Sequence, residues 1–277
     1  MLSPILVFGA TGTHGGAVAR GLLEANLPVR ALVRDAASTR ARTLAAAGAT
    51  LVVGDMLNPA SLIEPLSQVG AAYAVTTPFG GGADEEERQG EAIIAAAQAA
   101  SLPWLLLGSV ASAERAPVPH FQSKARIERR LRESGVSWTV IAPSYFYENV
   151  LGSREALVAG ELPLALPADT PLHQLSLANL GAVVRAVLAR RDEHLSARIE
   201  LAADAPTPTE MAAAFGAHHL ELPREQVQQR SADLAAMYEF LAIPGYGIDT
   251  AAVRARYPQV AWFSYTEWAR TIDLEAS

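Results

Sequence analysis

The 277-residue chain is half hydrophobic, 18% charged and free of cysteine. That is the balance of a globular protein long enough to bury a substantial core, and it excludes disulfides, thiolate metal sites and a cysteine nucleophile. A formal net charge of −7 at pH 7 argues against direct nucleic-acid binding, which concentrates Lys and Arg on one surface.

Short apolar runs at 5–8, 29–33, 50–53, 71–76, 104–107 and 138–142 read as strands. Ala-rich stretches at 15–24, 41–47, 61–66, 86–100 and 120–133 read as the helices between them. Strand and helix alternating in this way predict an α/β fold, a Rossmann-type doubly wound parallel sheet. After Asn149 a Pro- and Leu-rich passage at 161–172 breaks the rhythm, before a helix at 179–189 and a strand at 197–201 that return to the sheet. From Pro206 the chain reads as helix, helix, loop and an aromatic end, with no further strand-helix-strand unit. The expected organisation is a dinucleotide-binding domain over 1–150, completed by 174–202, and a smaller mixed C-terminal substrate subdomain built from 151–173 and 203–277. No basic leader precedes the first strand, and no apolar run approaches the roughly 18 residues of a membrane span. The expectation is a soluble, cytoplasmic protein that does not associate with membranes.

The first strand runs into Gly9-Ala10-Thr11-Gly12-Thr13-His14-Gly15-Gly16 and then a helix. Glycines at this spacing, after a strand and before a helix, let the backbone turn tightly and let a pyrophosphate reach the amides at the helix N-terminus. The second strand ends at Val33, which puts Arg34 close to the position about 20 residues past the glycines that reads the adenosine ribose. Arginine there pairs with a 2′-phosphate and so favours NADP(H), whereas an acidic residue would favour NAD. The alternatives are that Arg34 is a solvated strand-end residue, or that the neighbouring Asp35 takes the position. Gly54-Asp55 after the third strand places a carboxylate either near the adenine or in an Asx turn. Thr76, Thr77 and Pro78 close the fourth strand at the crevice. The run Asp84 to Glu87 is read as a negatively charged first helical turn. His218 and His219 lack companions at ligand spacing, so no metal site is expected.

These segments resemble the NmrA-like group of atypical short-chain dehydrogenases/reductases. The resemblance is carried by Gly9 to Gly16, Leu32-Val33-Arg34-Asp35, Gly54-Asp55 and Pro143-Ser144-Tyr145-Phe146-Tyr147-Glu148-Asn149, and by Gly245-Tyr246-Gly247 and Tyr265-Thr266-Glu267-Trp268 near the end. It implies NADP(H) contacts at Gly9 to His14, Arg34, Asp55, Met56, Thr77, Lys124 and the 145–149 segment. It also implies either a reductase of quinones or other small electrophilic acceptors, or a non-catalytic NADP(H)-binding redox sensor. A homodimer or a regulatory protein partner is compatible with both.

Standard short-chain dehydrogenases place a phenol and an ammonium one helical turn apart in Tyr-x-x-x-Lys, with a serine nearby. The equivalent stretch here is His120-Phe121-Gln122-Ser123-Lys124, with histidine in the tyrosine position, which disfavours alcohol-dehydrogenase and epimerase chemistry. Lys124 is either the ligand of the nicotinamide ribose or a surface lysine. His120 is either a proton donor or a structural residue at a helix start. Ser109 matches the family serine, or is ordinary loop chemistry. Tyr145, Phe146 and Tyr147 wall the nicotinamide pocket or pack in the core, and Trp262, Phe263 and Trp268 are expected in the subdomain core.

Overall fold

Six strands with five helices between them open the chain because most of the strands are apolar on both faces and each helix on one, and a parallel sheet covered on both sides buries them. In the computed structural model, which describes residues 3–243 and 245–275, the strands are β1 (Ile5–Val7), β2 (Val29–Val33), β3 (Thr50–Val53), β4 (Ala71–Val75), β5 (Leu105–Gly108) and β6 (Trp138–Pro143). Between them lie α1 (Thr13–Glu24), α2 (Thr39–Ala46), α3 (Ala60–Ser67), α4 (Gly82–Ala99) and α5 (Pro119–Glu133). Met1, Leu2, Pro244, Ala276 and Ser277, which fall within the expected domain spans, lie outside the described residues.

The second half continues with β7 (Tyr145–Phe146), a 3-10 turn over Tyr147–Ser153, α6 (Arg154–Val158), β8 (Glu161–Leu164), β9 (Gln174–Leu175), α7 (Leu177–Ala189), α8 (Arg191–His194) and β10 (Ala197–Leu201). It ends with α9 (Pro208–Ala213), β11 (His218–Glu221), α10 (Arg224–Arg230), α11 (Ala232–Ala242), α12 (Thr250–Arg256) and α13 (Tyr265–Ala269). No described helix is long and apolar enough to cross a membrane.

Seven parallel strands form the central sheet in the order β10-β6-β5-β4-β1-β2-β3. Chain direction along the sheet reverses between β1 and β4, so the crevice outside their C-terminal ends is the place where open α/β sheets bind ligands. One face of the sheet is covered by α3, α4 and α5 around Phe8, Leu62, Ile93 and Ile127. The other is covered by α1, α2 and α7, where glycine meets glycine: a Cβ on Gly21 would lie 3.0 Å from Cα of Gly181. That contact seats α7 against α1, and β10 then reaches the sheet edge beside β6.

The C-terminal segments differ from the sequence expectation. Glu161–Leu164 is a strand, and it pairs in parallel with His218–Glu221 across α9. Leu162 and Leu164 alternate inward with Glu161 and Pro163, but the proline masks the period, while His218-His219-Leu220-Glu221 is mostly exposed and shows no apolar alternation. Trp268 is buried against Tyr147 and Tyr265 as expected, whereas Phe263 is exposed. The apolar cluster of α1 and α7 runs on unbroken into Leu162, Met211, Tyr257 and Trp268, so both halves share one core on that face.

Candidate functional site

The loop after β1 is built around three glycines with distinct duties. Gly9 takes φ +62°, in the left-handed region that side chains disfavour, and its carbonyl accepts from Gly12 N at 2.9 Å. A Cβ on Gly15 would stand 2.5 Å from the carbonyl oxygens of both Phe8 and Gly9. Glycine there lets the first turn of α1 lie directly against the end of β1. The first amides of that turn, at Thr13, His14 and Gly15, have no acceptor within the helix, and the dipole makes their end attractive to an anion. Ala10 is buried beneath the loop, while Thr11 is half-exposed and Gly12 and Thr13 are exposed.

His14 faces inward from this turn. Its Nε2 lies 2.6 Å from the hydroxyl of Tyr73, a fully buried residue of β4, and its ring meets Phe146 edge-on with centroids 5.5 Å apart. Gly108 makes room for the pair, since a Cβ there would lie 2.7 Å from the Tyr73 hydroxyl. Burial first, and the Lys124 ammonium second, hold the imidazole down to about 3 from an ordinary 6.5. His14 is therefore neutral in the fold and titrates near 6.5 once unfolded. Between about pH 6.5 and 3 the unfolded chain binds more protons at this site, so stability falls with falling pH across that window. His14→Gln is expected to remove up to about 1.4 kcal/mol per pH unit from the acid-side slope. Urea titrations of both proteins at several pH values check this, and parallel slopes would refute it.

At the end of β2 the strand stops at Val33, and a cavity of about 290 Å³ opens between Thr11 of the glycine loop, Arg34, and Ser38, Thr39 and Arg40 of the α2 N-terminus. Arg34 and Arg40 are both exposed. Asp35 is turned to local use, its Oδ1 accepting from Ala37 N at 2.8 Å. Asp55 does the same with Leu57 N at 2.9 Å, the Asx-turn reading of that residue, and Met56 beside it packs half-buried against the core.

Each residue expected to be catalytic is paired with a carboxylate that the sequence reading did not assign to it. Lys124 Nζ donates to Glu86 Oε1 at 2.7 Å, to the carbonyl of Thr76 at 3.1 Å and to its hydroxyl at 3.2 Å, which uses all three of its hydrogens. Glu86 is fully buried and also accepts from Thr76 and Ser123, so it is no solvated first-turn acid. Thr76 is thereby committed to this network, and only Thr77 and Pro78 remain half-exposed at the crevice. Gln89 adds a bond from Thr77 N at 3.1 Å.

His120 turns to α11, with Nδ1 2.5 Å from Oδ2 of Asp233 and its backbone amide on Oδ1 at 3.1 Å. Burial lowers its pKa and the Asp233 carboxylate opposes that shift. The Ser109 hydroxyl donates to the buried Glu128, which also binds Arg132 and Arg198. Ser109 thus belongs to an ion cluster centred on Glu128, one turn along α5 from Lys124.

The 143–149 segment divides its duties. Tyr145 and Phe146 are half-buried beyond β6, with the Tyr145 hydroxyl 3.4 Å from that of Tyr238 on α11, while Asn149 is exposed. Tyr147 is core, packed on Tyr265 and Trp268. Glu148 accepts from Leu177 N at 2.9 and 3.1 Å and so fixes the start of α7. The Ser144 hydroxyl is buried at the end of β6 with no partner among the described residues, a group that water or a ligand must satisfy. An unpaired hydroxyl at the crevice, a glycine cradle that a side chain would fill, and a cavity with two exposed arginines together fit a dinucleotide.

Residues 1–239 match the model of the NmrA-like family. An NAD(P)H azoreductase from Xenophilus azovorans is 34% identical over 154 residues, which cover 55% of this chain and 52% of that protein. This chain thus spans about half the length of that relative, and 62% and 47% of two others. The crystal structure of an NADPH-dependent quinone oxidoreductase from Escherichia coli, complexed with NADPH, superposes with a TM-score of 0.82 at 23% identity, over 96% of this chain and 99% of that one. That of NmrA, a negative transcriptional regulator in complex with NADP, superposes at 0.80 and 19% identity, over 98% and 95%. At these identities the superpositions establish the fold.

Proposed function

The chain belongs to the NmrA-like family, and from that premise we propose that it is an NADPH-dependent reductase that transfers hydride to a quinone or another small electrophilic acceptor. The observation that carries the cofactor half is the cavity at the end of β2, where the exposed Arg34 and Arg40 line it beside Thr11 of the glycine loop. Two guanidinium groups there suit the 2′-phosphate of NADP(H), and the Asx turn at Asp35 removes the carboxylate that would have suited NAD. The loop amides of Gly12 to Gly15 take the pyrophosphate, and Lys124 holds the nicotinamide ribose in exchange for its bond to the Thr76 hydroxyl. Tyr145 and Phe146 wall the nicotinamide end. When bound, the reduced nicotinamide supplies hydride. The His120-Asp233 pair positions α11 over the crevice rather than moving a proton, and the proton that completes reduction comes from solvent. The names of the azoreductase and the quinone oxidoreductase support the choice of a conjugated acceptor.

A second reading, an NADP(H)-binding redox sensor, is favoured by one observation: Lys124, His120 and Ser109 all hold carboxylates already. Consumption of NADPH against a panel of quinones, measured with the affinities for NADPH and NADP+, separates the two. Turnover supports the reductase; none, with strong discrimination between the two cofactor forms, supports the sensor. Arg34→Ala is expected to weaken NADPH by about 10- to 100-fold, the worth of a lost charge-assisted bond of about 1.5–3 kcal/mol, and NADH far less. Equal losses for the two cofactors would remove the 2′-phosphate role.

A further inference from the structure

The contact between His14 and Tyr73 fixes more than packing. Tyr73 stands in the middle of β4 and is fully buried, so no water reaches its hydroxyl. The hydroxyl has a single hydrogen-bond partner among the described residues, Nε2 of His14 at 2.6 Å. A buried hydroxyl hydrogen left without an acceptor costs more than an ordinary hydrogen bond returns. If Nε2 carried a hydrogen, it would donate to the phenol oxygen and leave the phenol hydrogen without an acceptor. The bond therefore runs the other way: Tyr73 donates and Nε2 accepts. Burial keeps the imidazole neutral and raises the phenol pKa, so the phenol retains the hydrogen it donates. A neutral imidazole with a bare Nε2 carries its hydrogen on Nδ1.

Nδ1 is the ring nitrogen nearer the backbone, and His14 belongs to the first turn of α1. It has no partner among the described residues and is not enclosed, so it faces solvent. The same turn presents the free amides of Thr13, His14 and Gly15, and the helix dipole favours an anion there. The ring also meets Phe146 edge-on, and the Lys124 ammonium is close enough to help depress the imidazole pKa. Nδ1-H is thus an uncharged donor beside the loop amides, on the side of the crevice where Phe146 and Lys124 stand. Glycine at the end of β5 permits the arrangement, since a Cβ on Gly108 would lie 2.7 Å from the Tyr73 hydroxyl and 3.1 Å from Nε2.

We propose that Tyr73 is a positioning residue acting through His14: it fixes the imidazole as the Nδ1-H tautomer, which donates to the nicotinamide-side phosphate of NADP(H). This role rests on the reading of the glycine loop as the NADP(H) site. Proton-nitrogen correlation NMR on isotopically labelled histidine, with the His14 signal assigned by its loss in His14→Gln, reads the tautomer in the full chain. Hydrogen on Nδ1 alone is expected, shifted by NADP+, and Tyr73→Phe should mix the two tautomers. Hydrogen on Nε2 in the wild type overturns the proposal. Calorimetry supplies the second readout. His14→Gln keeps an acceptor for Tyr73 but loses the donor near the backbone, and should weaken NADPH at least about tenfold, the worth of one bond to a charged phosphate. The same variant should bind 2′,5′-ADP, which lacks the nicotinamide-side phosphate, as the wild type does. His14→Asn puts an amide in place of Nδ1 and strands the Tyr73 hydroxyl, so it should lose thermal stability yet hold NADPH within about threefold of wild type. A purely structural pair would instead lose affinity in step with stability, and that result also overturns the proposal. Wild-type NADPH affinity in His14→Gln sinks this role and spares the cofactor reading, whereas a wild-type protein that binds no NADPH sinks both.

Discussion

Glu86→Ala is expected to destabilise the protein by about 3–5 kcal/mol, because it strips the partner from a mostly buried ammonium. Lys124 has an 11% exposed side chain and Glu86 none, so water cannot replace the lost carboxylate. The hydroxyls of Thr76 and Ser123 lose their acceptor in the same step. Lys124→Met should cost a similar amount by leaving Glu86 charged and alone. Glu86→Leu combined with Lys124→Met should recover much of the loss, since an apolar pair carries no desolvation cost. Urea denaturation of the three variants measures this directly. A Glu86→Ala protein within about 0.5 kcal/mol of wild type, the range of ordinary surface changes, would show that the pair is solvated and that Lys124 is free for the cofactor.

The same residue shows where sequence reasoning stopped. Six strands and five helices of the first 143 residues are legible because parallel strands read as continuous apolar runs, and their ends differ from the expected ones by few residues. The glycine loop and Arg34 are legible because spacing from a strand end fixes them. Glu86 was grouped with Asp84, Glu85 and Glu87 by composition, yet its place on the helix decides its fate. Glu86, Gln89, Gly90, Ile93 and Ala97 follow the helical period and are all buried, so an acid on the apolar stripe demanded a cation elsewhere. Glu128 on α5 gives the same signal beside Ile127 and Leu131. Other partners carried no such mark. Tyr73 reads as one more strand aromatic until the sheet sets it under His14, and Asp233 and Tyr238 reach the crevice only through the docking of α11, a long-range contact without local pattern. Fold and glycine loop are local properties of this chain, whereas the neighbours of its candidate site side chains are set by packing between segments up to 113 residues apart.

Gly15→Ala tests the loop where two effects oppose each other. Alanine raises helix propensity by up to about 1 kcal/mol over glycine. Against that, its Cβ would stand 2.5 Å from two backbone oxygens, at Phe8 and Gly9, and neither can rotate away as a side chain would. Overpacking of this kind costs about 1–3 kcal/mol, so the clash outweighs the propensity and α1 must slide away from β1. That slide moves the amides of Thr13 and His14 and strains the bond of His14 to Tyr73, so the anion-binding geometry goes with it. A loss of NADPH affinity of at least about 100-fold is expected, because a displaced helix N-terminus gives up several charge-assisted bonds of about 1.5–3 kcal/mol each. Gly152→Ala serves as the control: its Cβ would meet nothing within 4 Å, and it should leave both stability and NADPH affinity near wild type. If Gly15→Ala binds NADPH like the control, the glycine is a helix-packing residue alone, and the pyrophosphate must be held elsewhere.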